Sequence, residues 1–193
     1  MTRPQNPKDV SAVIVTRGDQ DLTQIRASLP FEDVVIWDNS KRHDVSVYGR
    51  YAALREVRNT IVYVQDDDCL VPRSAIDTLL AEYRPGEIVA NMPVSRWSDY
   101  PDSCLVGWGA VFDRRLPQQA FDRYAKLYPL GAVEFMRDCD VVFTTLTPHV
   151  KFDLGFEHLP WAELPNRMFK QPLHSTRLTT LKQAQRVRDM ASV

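Results

Sequence analysis

The chain has 193 residues, 44% hydrophobic and 25% charged, with a formal net charge of -1 at pH 7. That balance excludes a disordered polymer, and the near-zero charge removes any global attraction to nucleic acid or anionic lipid. A single domain of this length buries roughly 70% of its unfolded surface, so one full core over residues 1–193 is expected.

Residues 1–9 carry basic and polar side chains and read as a flexible lead. The apolar run at 10–15 is too short for a signal core or a membrane span. VSAVIVT (10–16), DVVIWD (33–38), TIVYVQ (60–65) and EIVANM (87–92) are predicted strands, rich in Val and Ile and apolar on consecutive positions. Such runs fit strands covered on both faces. Between them, residues 19–29 place Leu22, Ile25 and Leu29 on one helical stripe. SAIDTLLAEYR repeats the pattern with Ile76, Leu79, Leu80 and Tyr83, behind Pro72, which a first helical turn tolerates.

The second half is less regular. CLVGWGAVFDRR (104–115) mixes short apolar segments with two glycines, and residues 116–128 present Ala120, Phe121, Tyr124, Leu127 and Tyr128 on a helical face. DCDVVFTTLTP (138–148) reads as a short helix ended by Pro148. Residues 149–173, rich in proline and aromatics, predict an irregular segment folded over the site, and a last helix is expected from Ser175 to about Met190. Cys69, Cys104 and Cys139 are odd in number and contain no C-x-x-C pair, which argues against a disulfide framework or a zinc cage. A reducing, cytoplasmic setting and no membrane segment are expected.

Strand and helix in alternation predict a three-layer α/β/α sandwich with a mainly parallel central sheet, whose ligands gather at the carboxyl ends of the strands. Those ends carry Thr16-Arg17-Gly18-Asp19, Asp38-Asn39-Ser40 and Asp66-Asp67-Asp68. Two carboxylates about 4 Å apart repel by roughly 4 kcal/mol near a protein surface, so the acidic triplet needs a cation, a nest of donors or exposure to water. Mg2+ or Mn2+ prefers oxygen ligands and takes one or two carboxylates, with phosphate oxygens and water completing its shell. An Asp-x-Asp pair at a strand end suits that role; an acidic, solvated turn is the alternative.

The ordered set VSAVIVTRGD, VVIWDNS, VYGRYAAL, IVYVQDDD, GWGAVF and RDCDVVFTTL resembles the nucleotide-sugar glycosyltransferases of the GT-A fold, and especially the exostosin-like domains. The resemblance runs over roughly residues 10–180. It implies a metal-dependent glycosyltransferase using a nucleoside-diphosphate sugar, uridine-based, with Mn2+ or Mg2+. Thr16, Arg17, Asp38 and Asn39 then stand for nucleotide contacts, and Arg50 for an arginine that reaches the diphosphate. Asp66 matches the ribose-binding aspartate and Asp68 the metal ligand, with Asp67 turned inward to orient the loop. In GWGAVF, Gly107 and Gly109 permit close approach of backbone to a sugar, on which Trp108 would stack; a core tryptophan in a buried hairpin explains the same letters. Asp140 aligns with the acid placed at a helix start facing the donor sugar or acceptor hydroxyl, favoured there in its ionised form, with Asp138 as runner-up. The resemblance also implies that a basic residue near His174 and Arg177 returns to the diphosphate or metal, and a neutral His174 has the chemistry of a metal ligand.

Phosphatases of the haloacid-dehalogenase type put Asp-x-Asp after the first strand, whereas here it follows the third. Nucleotidyltransferases of related fold open with a glycine-rich phosphate loop, and VIVTRGDQD holds one glycine. A non-catalytic nucleotide-binding module is a third reading. The acceptor is open between a saccharide and a hydroxymethylated DNA base; Arg167, Lys170, Arg177, Lys182, Arg186 and Arg188 against Asp189 make the C-terminal stretch locally basic, as phosphate contacts require.

Overall fold

The computed structural model describes residues 6–163 and 174–191. β1 (Val10–Thr16) is buried along its whole length, because its alternate side chains enter two different cores. Val13 and Val15 pack with Trp37, Val62, Val64 and Phe112 on one face. Val10, Ala12 and Ile14 pack with Ile61, Tyr63 and Val111 on the other. The first face is covered by α2 (Gly49–Ala52), α4 (Leu116–Ala125), α5 (Val133–Leu146) and α6 (His174–Met190). The second is covered by α1 (Thr23–Ser28) and α3 (Arg73–Glu82).

The sheet between them joins β1 to β2 (Asp33–Asp38), β3 (Ile61–Asp66), β5 (Ile88–Asn91), β6 (Ala110–Asp113) and β7 (His149–Phe152) in the order β2-β1-β3-β6-β5-β7. Only β6 runs against its neighbours; the other strands share one direction. This is the α/β/α sandwich with a mainly parallel sheet expected from the alternating pattern. Register brings the strand ends level: Val15 lies beside both Trp37 and Asp66, and Thr16 beside Asp38. All three polar clusters therefore meet on one rim.

Three segments depart from the sequence expectations. The first helix is shorter than residues 19–29, because Asp21 spends its carboxylate on the backbone and hydroxyl of Thr23 ahead of the first turn. α5 starts at Val133, well before Asp138. Phe135, Cys139, Val142, Phe143 and Leu146 extend one buried stripe through it, so burial rather than the acidic pair decides where the helix begins. Residues 149–163 are more ordered than expected: β7 forms an edge of the main sheet, and β8 (Glu157–His158) pairs with β4 (Cys69–Leu70), which directly follows the acidic triplet. Residues 164–173 lie outside the described residues. No helix among the described residues is long and apolar enough to cross a membrane.

Asn91, fully buried at the end of β5, ties the 149–163 segment to the loop before β6. Its amide donates to the carbonyls of Trp108 at 3.0 Å and Gly155 at 2.9 Å, and its carbonyl accepts from Leu154 N–H at 3.0 Å. Asn91→Ala should therefore cost about 3 kcal/mol in urea denaturation, since each buried polar group left unpaired costs roughly 1–3 kcal/mol.

Candidate active site

The acidic triplet is divided among three environments. Asp66 closes β3, and its N–H donates to Gly107 carbonyl oxygen at 2.7 Å. Its carboxylate rests against the same residue: a Cβ on Gly107 would lie 2.0 Å from Asp66 Oδ2. Asp67 turns inward and is 5% exposed, while Asp66 and Asp68 stay partly open. The backbone of the turn is clasped from outside, where Trp161 Nε1 donates to Asp67 carbonyl at 2.6 Å and Leu159 N–H to Asp68 carbonyl at 2.8 Å. The segment after β7 thus binds the backbone of the triplet.

Across from it stands Arg50, 2% exposed. Its short helix α2 approaches the sheet closely because Gly49 has no side chain; a Cβ there would lie 2.4 Å from Trp37. Arg50 Nη2 donates to Asp66 Oδ1 at 2.5 Å, and Nη1 lies 3.3 Å from Asp140 Oδ2. One guanidinium is therefore shared by carboxylates from β3 and α5. Burial alone would lower the Arg50 pKa, but the charges of Asp140 and Asp66 outweigh it and hold the guanidinium above its ordinary value. Arg50, the expected diphosphate contact, is thus enclosed and binds carboxylates of its own chain.

For Asp140 it is the expected helix-start position that the structure corrects. It lies seven residues inside α5, so no helix terminus favours its charge. Burial and the neighbouring Asp66 push its carboxyl above the usual range, opposed by Arg50, by a hydrogen bond from Tyr51 and by the charge of Arg177. A quarter of its side chain is still exposed, which leaves it within reach of a ligand. Asp138, two positions away and hence on nearly the opposite helix face, accepts from Thr180 Oγ1 of α6 at 3.2 Å. It joins two helices and stands apart from the Asp140 cluster.

The expected nucleotide contacts are mostly turned to local structure. Thr16 Oγ1 accepts from Gly18 N–H at 3.0 Å. Asp38 Oδ1 accepts from the backbone and hydroxyl of Ser40, at 2.9 and 2.6 Å, and Lys41 lies 2.9 Å from its other oxygen. Hydrogen bonds from Ser40 and Lys41 hold its carboxyl down at about 2. The Asn39 amide is committed as well, accepting from Trp37 Nε1 at 3.0 Å and Val45 N–H at 3.3 Å and donating to Ser46 carbonyl at 3.1 Å. Arg17 is exposed on the same rim.

The two glycines of GWGAVF serve the protein itself. Gly107 makes room for Asp66, and Gly109, at φ +99, has Tyr63 Oη 3.1 Å from where its Cβ would be. One face of Trp108 is taken by Phe156, stacked with ring centroids 4.6 Å apart, and its edge by His158 at 6.0 Å. From α6, the Arg177 guanidinium sits 4.5 Å over the Tyr100 ring, close enough for its charge to act on Asp140. His174 opens α6, and its side chain lies outside the described residues.

Sequence reasoning missed Tyr51, whose hydroxyl donates to Asp140 Oδ1 at 2.6 Å, and the tie made by Asn91. The adjacency of Tyr51 to Arg50 was the one available signal. Among the described residues no group of three or more His, Cys, Asp or Glu side chains is arranged to hold a metal ion.

No family model matches this chain, and no curated protein matches it. A solved structure similar to it is that of 4-diphosphocytidyl-2C-methyl-D-erythritol synthase from Anaerococcus prevotii DSM 20548. Identity is 10% and the TM-score 0.48, over 90% of this chain and 96% of that one. The exostosin-like resemblance rests on the order of the sequence motifs.

Two stability measurements follow from this geometry. Arg50→Met removes the guanidinium from two partly buried carboxylates and should lower unfolding free energy by about 3 kcal/mol, the low end for breaking a buried ion pair. Asp38 is depressed in the folded state, so its stabilisation is present above the unfolded value of roughly 3.9 and is lost as pH falls through about 2. The stability gap between wild type and Asp38→Asn in urea should therefore be full at about pH 6 and narrow steadily as pH is lowered toward 2.

Proposed function

We propose that the chain transfers a sugar from a nucleoside-diphosphate sugar, uridine-based, to an acceptor hydroxyl, with Mg2+ or Mn2+ bound at the acidic turn. The observation that carries this reading is the pair of carboxylates, Asp66 from a strand end and Asp140 from a helix, held by one buried arginine on the rim where parallel strands end. Ligands of open α/β sheets bind at that rim.

The donor set fits a hard cation. Asp68 and Asp66 offer carboxylate oxygens from a single turn and remain partly open, and Mg2+ or Mn2+ shared with phosphates uses one or two such ligands. When bound, the cation supplies Lewis-acid neutralisation of the departing diphosphate. Asp68 would be its principal ligand, and Asp66 would bind the ribose and water held by the cation.

Asp140 acts as general base on the acceptor. Its upward-shifted carboxyl makes the ionised form a stronger base than an ordinary aspartate, while its open quarter admits the hydroxyl. Arg177, resting on Tyr100, places positive charge beside the reacting centre and opposes that shift. If transfer instead retains the anomeric configuration, Asp140 and Arg177 stabilise charge on the transferred sugar. Arg17 on the rim meets the nucleotide. The acceptor is a saccharide or a hydroxymethylated DNA base, the latter suited by Lys182 and Arg186, both exposed on α6.

Uridine diphosphate at a hundred times its dissociation constant, with Mn2+, should add about 2.7 kcal/mol to folding stability, read as a rise in melting temperature. Asp68→Asn should abolish that rise. Asp140→Asn should keep it yet lose at least about a hundredfold in sugar transfer, since a positioned base contributes typically 10²–10⁴-fold. A wild-type protein whose melting is indifferent to nucleotide and metal together would refute the proposal.

A further inference from the structure

Resting on that reading of Asp140, we infer that Tyr51 is a positioning residue: its hydroxyl holds the Asp140 carboxylate in the orientation in which it meets the acceptor. Tyr51 Oη donates to Asp140 Oδ1 at 2.6 Å, and among the described residues it is the only hydrogen-bond donor to that carboxylate. Arg50, its neighbour in the chain, faces the second oxygen, Oδ2, at 3.3 Å. Residues 50 and 51 therefore hold the two oxygens from one short helix. Oδ1 is engaged by the phenol, Oδ2 accepts no hydrogen bond among the described residues, and a quarter of the side chain is exposed.

The Tyr51 ring cannot follow Asp140 if the carboxylate swings. It is 7% exposed and meets Phe121 and Phe143 edge-on at 5.1 and 5.5 Å, with Tyr48 at 6.3 Å. A phenylalanine would satisfy the same cage. The hydroxyl is the one part of the residue that the core does not require, and it points at the carboxylate. Burial, together with the charge of Asp140, pushes the phenol well above its ordinary value, so Tyr51 remains a donor across the working range.

In the reaction, Asp140 Oδ2 accepts the proton of the acceptor hydroxyl as its oxygen bonds to the anomeric carbon. The bond from that carbon to the diphosphate breaks, its electron pair leaves on the nucleoside diphosphate, and the proton on Asp140 passes to solvent. A carboxylate free to rotate meets the hydroxyl less often in line. Misplacement of about 1 Å costs on the order of a hundredfold in rate.

The groups facing Asp140 are Arg50 and Tyr51 from α2, Asp66 from β3, Arg177 from α6, Cys139 beside it on α5, and Cys104 in the loop before β6. Only Tyr51 combines a direct hydrogen bond with a substitution that preserves shape.

The test is Tyr51→Phe in the full chain. Stabilisation by Mn2+ and uridine diphosphate should match wild type, because Asp66 and Asp68 are untouched. The kcat for sugar transfer should fall about tenfold to a hundredfold at an unchanged donor KM. The acid limb of the pH-rate profile should move to higher pH, since the lost hydrogen bond favoured the carboxylate. Phe121→Leu, which loosens the cage and leaves the hydroxyl in place, should leave that limb where it is. A folded Tyr51→Phe protein with wild-type kcat and an unmoved limb overturns the inference. Should wild type bind nucleotide but transfer no sugar, the glycosyltransferase reading fails by itself. Carboxyl-carbon NMR of Asp140 then decides the positioning claim: a titration midpoint higher in Tyr51→Phe supports it, and an identical one overturns it.

Discussion

A buried guanidinium claimed by two carboxylates is the constraint around which this end of the molecule is arranged. Arg50 is withdrawn from water, and its Nε and Nη1 have no hydrogen-bond partner among the described residues. A charge so placed is tolerable only where opposite charge stands beside it. Asp66 and Asp140 supply that charge from a strand end and the middle of a helix. Their geometry follows from it: Gly49 lets α2 come close enough, and Gly107 leaves space for the Asp66 carboxylate.

The same arrangement explains how one turn carries three acids. Asp66 is compensated by Arg50, and Asp67 is taken into the interior. Asp68 remains partly open where a strand end meets solvent. The turn backbone is held by Leu159 and Trp161, so the carboxylates stand on a frame fixed by one distant segment. A rigid frame suits the cation proposed for this turn, because affinity and selectivity depend on ligand number and spacing.

Much of the fold was legible because it rests on short-range patterns. Runs of Val and Ile at 10–16, 33–38 and 60–65 are strands in the structure, and the polar clusters behind them share one rim as their positions implied. Asp140 stood out in the sequence as a candidate, but its setting did not. The acidic pair looked like a helix start, whereas the apolar stripe from Phe135 to Leu146 pulled the helix back to Val133 and turned Asp138 toward α6. Asn39 and Trp108 resembled ligand contacts, yet their polar and aromatic faces are spent on Val45, Ser46 and Phe156. Loop pairings such as Asn39 with Val45 and Ser46, and distant ones such as Trp108 with Phe156, leave no periodic trace.

By itself, the sequence determined the alternation of strands and helices, the doubly covered sheet and the gathering of acids at its carboxyl edge, since all three depend on hydrophobic period and local turn chemistry. Only the tertiary structure decided that Arg50 faces inward between Asp66 and Asp140, that Tyr51 grips Asp140, and that Asn91 ties down the 107–109 loop. Those contacts join positions as far as 90 residues apart (50 to 140), and packing in three dimensions, rather than any neighbouring residue, selects which side chains meet.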